Sequence, residues 1–285
     1  MMKTFTPQEV ANYYDQTEVH YRRFWKFEEA LGLHYGIWSE GIKNLKEAVL
    51  NTNKLLAELG EIKSTDVVLD AGCGVGGSAI YLAKKIGCKV TGITLSEKQA
   101  ATATAFAEKH GVNQLVTFKA MNYILTTFED NTFDVVWAIE SMQTAINKSD
   151  FLKEAKRVLK PGGKILIADC FKSYDYPFDK NKLMRLMFNG WAVTDVLSCK
   201  EFEQKANKEN FSVRINQDVT KEVAVSVRKF FIAALFGMGG TFLYNVFIKK
   251  ASYFSRNHYK TGLAQFFAYH KKLWTYNLLV VICEK

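Results

Sequence analysis

The pattern of hydrophobic and polar positions divides the chain into two regions. From Thr6 to about Gly60, apolar residues recur at helical spacing, with a break around Gly32–Gly41. Beyond Gly60, short apolar runs alternate with helical stretches. The predicted strands are Val67–Asp70, Lys89–Thr94, Val116–Met121, Phe133–Ile139 and Lys164–Asp169. The predicted helices between them are Gly77–Ile86, Glu97–His110 and Ser149–Leu159. This alternation predicts an α/β fold with a doubly wound parallel sheet, which binds ligands at the carboxyl ends of its strands.

Beyond the fifth predicted strand the pattern is less regular. The elements expected there are helices Asn181–Leu197 and Lys200–Asn207, strands Ser212–Val219 and Leu278–Cys283, and an aromatic-rich helical insertion, Lys221–His270. The two late strands bring the predicted sheet to seven strands, most of them parallel. We expect residues 1–60 to form a helical cap and residues 61–285 to form the main domain, in which the insertion, at about 220–272, is a lid.

One apolar segment has the length of a membrane span. Phe230–Ile248 contains no charged residue and is flanked by two basic pairs, and a bilayer crossing needs about 20 residues. However, Gly237-Met238-Gly239-Gly240 interrupts the segment. A single crossing would also separate the last strand from its sheet. We therefore expect a lid helix that is buried or rests on a membrane surface, where basic flanks are favoured.

The composition is that of a globular protein with apolar surface to spare. Hydrophobic residues make up 48% of the 285 residues and aromatic residues 14%. The formal net charge of +9 is compatible with nucleic-acid binding, but the lysines are spread along the chain and mixed with glutamates. A solvated basic surface is the simpler explanation, and contact with an anionic membrane is the next. We therefore expect no nucleic-acid partner.

The spacing of the cysteines bears on the redox compartment of the protein. All five are scattered along the chain without a Cys-x-x-Cys pair, which argues against a zinc site. This usage suits a reducing environment, so we expect a cytoplasmic protein without a metal, with peripheral membrane contact through the lid as an addition.

The most informative segment is Val67–Gly77, where an apolar strand leads through Asp70 into a glycine-rich turn and a helix. Gly72 and Gly74 let a ligand approach the backbone without a Cβ in the way, and the helix start offers unpaired N–H groups. A carboxylate at Asp70 would repel a pyrophosphate, but it suits a cationic group such as an amine. The turn therefore favours S-adenosylmethionine over a dinucleotide.

The same turn also has the Gly-x-Gly-x-x-Gly spacing of nicotinamide sites. Such a site expects an acidic residue at the end of the second strand, about 20 residues on, which holds the ribose hydroxyls. Here the second strand ends in Gly92-Ile93-Thr94. The missing acid argues against a dehydrogenase.

Three motifs together resemble those of class I S-adenosylmethionine-dependent methyltransferases. They are Asp70–Gly77, Gly92–Gln99 and Arg157–Lys164, and the resemblance covers nearly the whole chain. Within the superfamily, the chain looks most like the branch that holds tocopherol, sterol and isoprenoid C-methyltransferases and cyclopropane fatty-acid synthases. The resemblance implies a Rossmann-like sheet and S-adenosylmethionine as the cofactor.

The resemblance also implies which residues contact that cofactor. They are Asp70, Gly72, Cys73, Gly74, Gly76, Thr94, Leu95, Gln99, Asn122, Tyr123 and Ile139. After the third strand, the family usually has an acid that accepts a hydrogen bond from the adenine amine. Here Asn122 offers an amide oxygen that accepts the same bond more weakly, and Tyr123 can stack on the ring. Asn122 is otherwise an ordinary turn residue.

Three residues are catalytic candidates. Glu140 follows the fourth strand, where the resemblance places the reacting methyl group and where tocopherol and sterol methyltransferases also have Glu. A carboxylate there orients a hydroxyl, stabilises a cation or accepts a proton, unless it only binds loop backbone. Thr144 replaces the family's usual histidine, which puts a histidine base in this loop in doubt. Tyr14 and His34 belong to segments that resemble the lid motifs of the branch.

These features predict methyl transfer from S-adenosylmethionine to a hydrophobic small molecule, such as an isoprenoid, sterol, tocopherol or quinol, or fatty acyl chain. We expect C-methylation, and small-molecule N-methylation is the alternative. Nucleic-acid methylation is less favoured, because Glu140-Ser141-Met142-Gln143 occupies the place of the Asn/Asp-Pro-Pro-Tyr loop of base-amine methylases. A non-catalytic cofactor-binding protein is a third class. The sequence leaves the acceptor and the oligomeric state open.

Overall fold

The computed structural model describes residues 3–25, 31–32, 34–173, 180–247 and 253–284. Its strands are β1 Val67–Ala71, β2 Lys89–Thr94, β3 Val116–Ala120, β4 Phe133–Ile139, β5 Leu159–Lys172, β6 Phe211–Asp218 and β7 Trp274–Cys283. Its helices are α1 Pro7–Trp25, α2 Leu45–Leu59, α3 Gly77–Lys85, α4 Glu97–Lys109, α5 Lys148–Val158, α6 Lys182–Gly190, α7 Cys199–Lys208, α8 Ala224–Phe247 and α9 Tyr253–His270, with a 3-10 turn at Met142–Thr144.

The strands of the described chain form one seven-stranded sheet in the order β3-β2-β1-β4-β5-β7-β6. Strands β1 to β5 are parallel to one another, whereas β7 is antiparallel to both β5 and β6. This arrangement confirms the predicted seven-stranded, mostly parallel sheet. The strand order reverses between β1 and β4, and a crevice for a ligand forms at such a reversal.

Two apolar layers hold the helices against the sheet. Along β4, Trp137 belongs to a cluster that contains Ile80 of α3, whereas Val136 belongs to one that contains Phe151 of α5. Successive strand residues point to opposite faces of a sheet, so β4 is covered on both sides. Full burial of each large apolar side chain stabilises the fold by about 1.5–3 kcal/mol.

The segment that was predicted as one helix, Asn181–Leu197, is helical only up to Gly190. A Cβ at Gly190 would lie 1.6 Å from Thr261 Oγ1 of α9, so the close packing of α6 on α9 requires glycine there. Ala192 then adopts a positive φ of 56°, which a helix cannot contain. The helical spacing continued past this point, and the prediction of a longer helix was wrong.

The last strand begins at Trp274, earlier than the predicted Leu278. The polar residues Thr275 and Asn277 interrupt the apolar run, but both pair with β5 in the sheet. Asn277 Nδ2 also donates to Asn216 Oδ1 of β6 (2.7 Å). The cross-strand amide pair therefore explains a polar residue inside a buried strand.

The predicted helical insertion forms two helices, α8 and α9, between β6 and β7. Ile248, at the end of the apolar segment, lies outside the described residues. Within the part of the chain that the structure describes, no helix is both long enough and apolar enough for a membrane crossing.

Candidate active site

A cavity of about 770 Å³ lies at the carboxyl ends of β1, β2, β4 and β5. The glycine turn after β1 and the loop after β4 form one side of it. Residues of α1, the segment around His34, α6, α8 and α9 form the other sides. Its size is within the range of about 300–1,000 Å³ that is usual for small-molecule sites.

The structure brings nearly all of the predicted site residues together. The cavity is lined by Tyr14, His34, Asp70, Gly72, Cys73, Gly74, Thr94, Leu95, Gln99, Tyr123, Ile139 and Glu140. The cofactor and catalytic roles that were predicted for these residues stay predictions, but their common location is what those roles require.

Gly76 and Asn122 were predicted to contact the cofactor, but neither lines the cavity. Gly76 has a φ of 86°, and a Cβ there would lie 2.6 Å from Phe118 Cζ. Packing against β3 therefore requires this glycine. Asn122 Oδ1 accepts a hydrogen bond from Ile124 N (3.2 Å), as an ordinary turn residue does.

Asp70 lies at the base of the cavity with an unsatisfied oxygen. The side chain is 2% exposed, and Oδ2 has no hydrogen-bond partner among the described residues. Burial raises the pKa of the Asp70 carboxyl to about 7, although a backbone hydrogen bond from Ala79 of α3 opposes the rise. Buried polar atoms are almost always paired, so Asp70 is ready to accept a donor from a ligand.

Glycine is favoured at Gly74 and at Gly72 of the turn for two different structural reasons. Gly74 has a φ of 52°, and a Cβ there would meet no atom within 4 Å, so a ligand can approach this backbone closely. At Gly72, a Cβ would lie 2.4 Å from Ser141 Cβ. Ser141 Oγ donates to Ala71 O (2.5 Å). Gly72 thus lets the loop after β4 pack against the turn.

The end of β2 holds α1 in place beside the cavity. Ser96 Oγ accepts a hydrogen bond from Gln99 N (3.1 Å) as the N-cap of α4 and donates to Asp15 Oδ1 of α1 (2.6 Å). Thr94 Oγ1 donates to Gln99 Oε1 (2.7 Å). These contacts hold α1, whose Tyr14 lines the cavity, against the loop after β2.

Glu140 is held rigidly at the end of β4. Its backbone has a positive φ of 48°, and its N–H donates to Ala168 O of β5. The side-chain Oε1 accepts hydrogen bonds from Tyr35 N (2.6 Å) and from Tyr276 Oη (2.8 Å). A non-glycine residue with a positive φ is uncommon, and such residues are often found at functional sites.

Burial raises the pKa of the Glu140 carboxyl to about 8, and the negative charge of Asp169 adds to the rise. The hydrogen bonds from Tyr35 and Tyr276 oppose it, because they stabilise the ionised form. The free protein therefore holds a proton on Glu140 at neutral pH. A cation bound nearby would release that proton.

His34 presents an unpartnered nitrogen to the cavity. Nδ1 lies 2.9 Å from Tyr35 O, and because a carbonyl can only accept, Nδ1 carries the hydrogen. Nε2 has no hydrogen-bond partner among the described residues. Burial lowers the pKa of His34 to about 4, so the ring is neutral and Nε2 is an acceptor.

Aromatic side chains line part of the cavity. Tyr35 contacts Phe230, Trp274 and Tyr276 with ring centroids 4.8, 5.6 and 5.7 Å apart. The aromatic residues that line the cavity include Tyr35, Phe188, Trp191, Phe230 and Phe236. This part of the cavity suits an apolar ligand group or a cation held by aromatic faces.

Sequence reasoning missed several residues of the site. Tyr276 and Gln265 come from the end of the chain, and Tyr35 Oη donates to Gln265 Oε1 (2.7 Å). Asp169 and Gln143 also line the cavity. Asp169 lies near the carboxyl end of β5, so the rule that placed Asp70 and Glu140 could have found it. Nothing in the sequence indicates that Tyr276 reaches Glu140.

The described residues offer no evident metal site, since they contain no cluster of three His, Cys, Asp or Glu side chains that could hold an ion.

Comparison with known proteins identifies a domain. Residues 69–167 match the family model described as a methyltransferase domain. The 27-O-demethylrifamycin SV methyltransferase of Amycolatopsis mediterranei is 34% identical over 164 residues, 58% of this chain and 59% of that protein. The 2-methyl-6-phytyl-1,4-hydroquinone methyltransferase of Synechocystis sp. is 34% identical over 206 residues, 68% of this chain and 63% of that protein. The chain thus spans about three fifths of the length of these relatives.

A solved geranyl diphosphate methyltransferase, in complex with GPP and sinefungin, has a similar fold. The TM-score is 0.77 at 21% sequence identity, and the match covers 98% of this chain and 99% of that chain. These findings confirm the resemblance that the three sequence motifs indicated. Residues 69–167 are a methyltransferase domain, and the sheet around them has the class I methyltransferase fold.

Proposed function

We propose that this chain transfers a methyl group from S-adenosylmethionine to a hydrophobic small molecule, by C-methylation. One observation carries the proposal: Asp70 and Glu140 line a single cavity together with several aromatic side chains. The two curated relatives support methyl transfer to a small molecule, since both are named as methyltransferases and the name of one gives a phytyl hydroquinone.

The glycine-turn end of the cavity fits the cofactor. The unpaired Oδ2 of Asp70 would accept a hydrogen bond from the cofactor's ammonium group, and the open backbone at Gly74 leaves room for its approach. Thr94, Leu95 and Gln99 would contact the adenosine. When bound, the cofactor supplies a methyl group that its sulfonium has already activated.

Glu140 would act as the base for a carbon acceptor. An alkene or an electron-rich ring that takes up a methyl group becomes a cation, and a proton must then leave the carbon. The Glu140 carboxylate can take that proton, since Tyr35 and Tyr276 hold its Oε1 in a fixed position. Aromatic faces that line the cavity would stabilise the cation by about 0.5–2 kcal/mol each.

N-methylation of a small molecule is the second candidate, because the same carboxylate could take a proton from an amine. A nucleic-acid substrate is disfavoured because no lysine or arginine is among the described residues that line the cavity, so a phosphate there would have no cationic side chain to pair with.

Mass spectrometry tests the proposal. The protein is incubated with lipophilic extracts and with S-adenosylmethionine that carries a deuterated methyl group. We expect labelled products in the apolar fraction, with the label retained on carbon in the fragment spectra. Labelled amines would favour N-methylation instead. A complete lack of labelled small molecules, with label in added RNA, would contradict the proposal.

We also propose that the exposed face of α8 contacts an anionic membrane, from which a lipophilic acceptor could enter. Ile232, Leu235 and Phe236 are exposed on one helical face, Phe236 by 77%, and Arg228 and Lys229 precede them. Binding to vesicles of phosphatidylcholine and phosphatidylglycerol tests this proposal. Phe236→Ser should weaken binding severalfold, and Leu125→Ser, which alters an equally exposed residue elsewhere, should not. Equal binding of both variants would contradict it.

A further inference from the structure

Gln143 lies in the wall of the cavity and carries an unpaired acceptor. The side chain is 2% exposed and lines the cavity. Its Nε2 donates to Cys170 O (2.9 Å). Because that carbonyl can only accept, the amide orientation is fixed by the hydrogen bond. Oε1 is left with no hydrogen-bond partner among the described residues, which is unfavourable for a buried acceptor.

Asp169 lies next to this amide and lines the same cavity. Its Oδ2 accepts a hydrogen bond from Gln143 N (3.3 Å), and its Oδ1 accepts one from Cys170 N (2.8 Å). The two backbone donors hold the carboxyl against the loop that carries Glu140. Gln143 Oε1 and the carboxyl of Asp169 therefore form a cluster of acceptors, which we name the amide–acid subsite.

The cavity around the subsite has acidic side chains but no basic ones. The acidic residues among the described lining are Asp70, Glu140 and Asp169, and no lysine or arginine is among them. The nearby ammonium of Lys148 is buried outside the lining, where it donates to the backbone carbonyls of Gln143, Ala145 and Asp195. An anion in the cavity would thus meet no lysine or arginine side chain to pair with, which is costly in a buried site.

We propose that the amide–acid subsite selects methyl acceptors that carry a neutral hydrogen-bond donor, such as an alcohol, and that it excludes phosphorylated acceptors. The inference rests on the proposed function and deepens it, because it names the polar group of the acceptor. An alcohol O–H would donate to Gln143 Oε1. A site built to bind a hydroxyl discriminates strongly against the analogue that lacks it, because its own polar atom then stays unpaired.

Calorimetry with matched probes tests the subsite. The protein, saturated with S-adenosylhomocysteine, is titrated with geraniol, with 2,6-dimethylocta-2,6-diene and with geranyl phosphate, each with and without Mg²⁺. Farnesol and its hydrocarbon and phosphate counterparts form a longer series. We expect the alcohol of at least one series to bind at least 10-fold more tightly than its hydrocarbon and its phosphate. The inference would be overturned if the phosphate bound as tightly as the alcohol or more tightly, or if the hydrocarbon bound as tightly as the alcohol. It would also be overturned if neither alcohol bound at 1 mM.

The variant Gln143→Leu should bind the alcohol no more tightly than the hydrocarbon, whereas Gln204→Leu, at an exposed position of α7, should keep the wild-type preference. If Gln143→Leu does not fold, the wild-type ranking of the probes decides the question without it. The titration of S-adenosylmethionine is measured separately. If the protein does not bind S-adenosylmethionine, the proposed function is contradicted. The ranking of the probes on cofactor-free protein would then still test whether the subsite selects alcohols.

Discussion

Glu140 is the residue on which the chemistry of the site depends. Glu140→Gln keeps the shape and the two hydrogen-bond donors to Oε1 but cannot take a proton. We expect kcat to fall by about 10²–10⁴-fold, as for loss of a general base, while cofactor affinity stays within about threefold. Glu9→Gln, at an exposed position of α1, is the control. Unchanged turnover in Glu140→Gln would leave Glu140 a structural residue.

Tyr276 tunes the charge of Glu140. At saturating cofactor, kcat/KM for the acceptor should rise with pH as Glu140 ionises. The pKa of Glu140 is about 8 in the free protein, and the cofactor's positive charge lowers it, so the plateau should be reached below about pH 8. Tyr276→Phe removes one donor to the carboxylate, so the pKa rises and the rising limb should move up by about one pH unit.

Tyr269→Phe is the matched control, since Tyr269 packs against Trp274 (ring centroids 5.8 Å apart) outside the cavity lining. Its pH profile should equal that of the wild type. A rising limb that Tyr276→Phe leaves in place would argue that another group titrates.

Lys148, at the start of α5, fastens the loop that carries Glu140 and Gln143. The side chain is 1% exposed, and its three hydrogen bonds go to carbonyls of two different loops. Lys148→Met leaves those carbonyls unpaired, so we expect the free energy of unfolding to fall by about 3 kcal/mol. Chemical denaturation measures it. Lys153→Met, at an exposed position of the same helix, should change it by less than about 0.5 kcal/mol.

The hydrophobic pattern predicted the elements in which apolar residues recur at a clear period. It failed where contacts between distant segments determine the end of an element or the position of a side chain. Strands β1 to β5 and the residues at their carboxyl ends follow from local pattern, which is why Asp70 and Glu140 were found. Helix α6 stops at Gly190 because Thr261, far along the chain, packs there. Tyr276 reaches Glu140 only because β7 inserts between β5 and β6. Such long-range contacts leave no local signal.

In the whole molecule, the N-terminal segment and the inserted helices meet over the cavity. Ser226 Oγ of α8 accepts hydrogen bonds from Gly36 N and Trp38 Nε1 (3.1 and 2.9 Å), and Tyr35 Oη binds Gln265 of α9. We propose that residues 1–60 and the α8–α9 pair act together as the cover of the site, which excludes water from the reacting groups.

Three buried carboxyls should make the stability of the cofactor-free protein depend on pH. The pKa values of Asp70 and Asp169 are about 7 and that of Glu140 is about 8, whereas the unfolded chain ionises such groups near pH 4. Between pH 6.5 and 8 the folded state therefore holds more protons than the unfolded state, and the free energy of unfolding falls as pH rises.

Differential scanning calorimetry should accordingly give a lower Tm at pH 8 than at pH 6.5. The pKa of His34 is about 4, whereas an unfolded histidine titrates near pH 6.5, so the unfolded ring takes up its proton mostly below this window and opposes the trend only near pH 6.5. Asp169→Asn should reduce the pH dependence. A Tm that is equal or higher at pH 8 would contradict this assignment of protons.

The most direct measurement is the calorimetric affinity for S-adenosylmethionine of the wild type, of Asp70→Asn and of the control Asp66→Asn, which alters a residue outside the cavity lining. We expect micromolar binding to the wild type and to the control, and at least about 100-fold weaker binding to Asp70→Asn, because the ammonium group loses its charged acceptor. Equal affinity in Asp70→Asn, or a wild type that binds a nicotinamide dinucleotide instead, would contradict it.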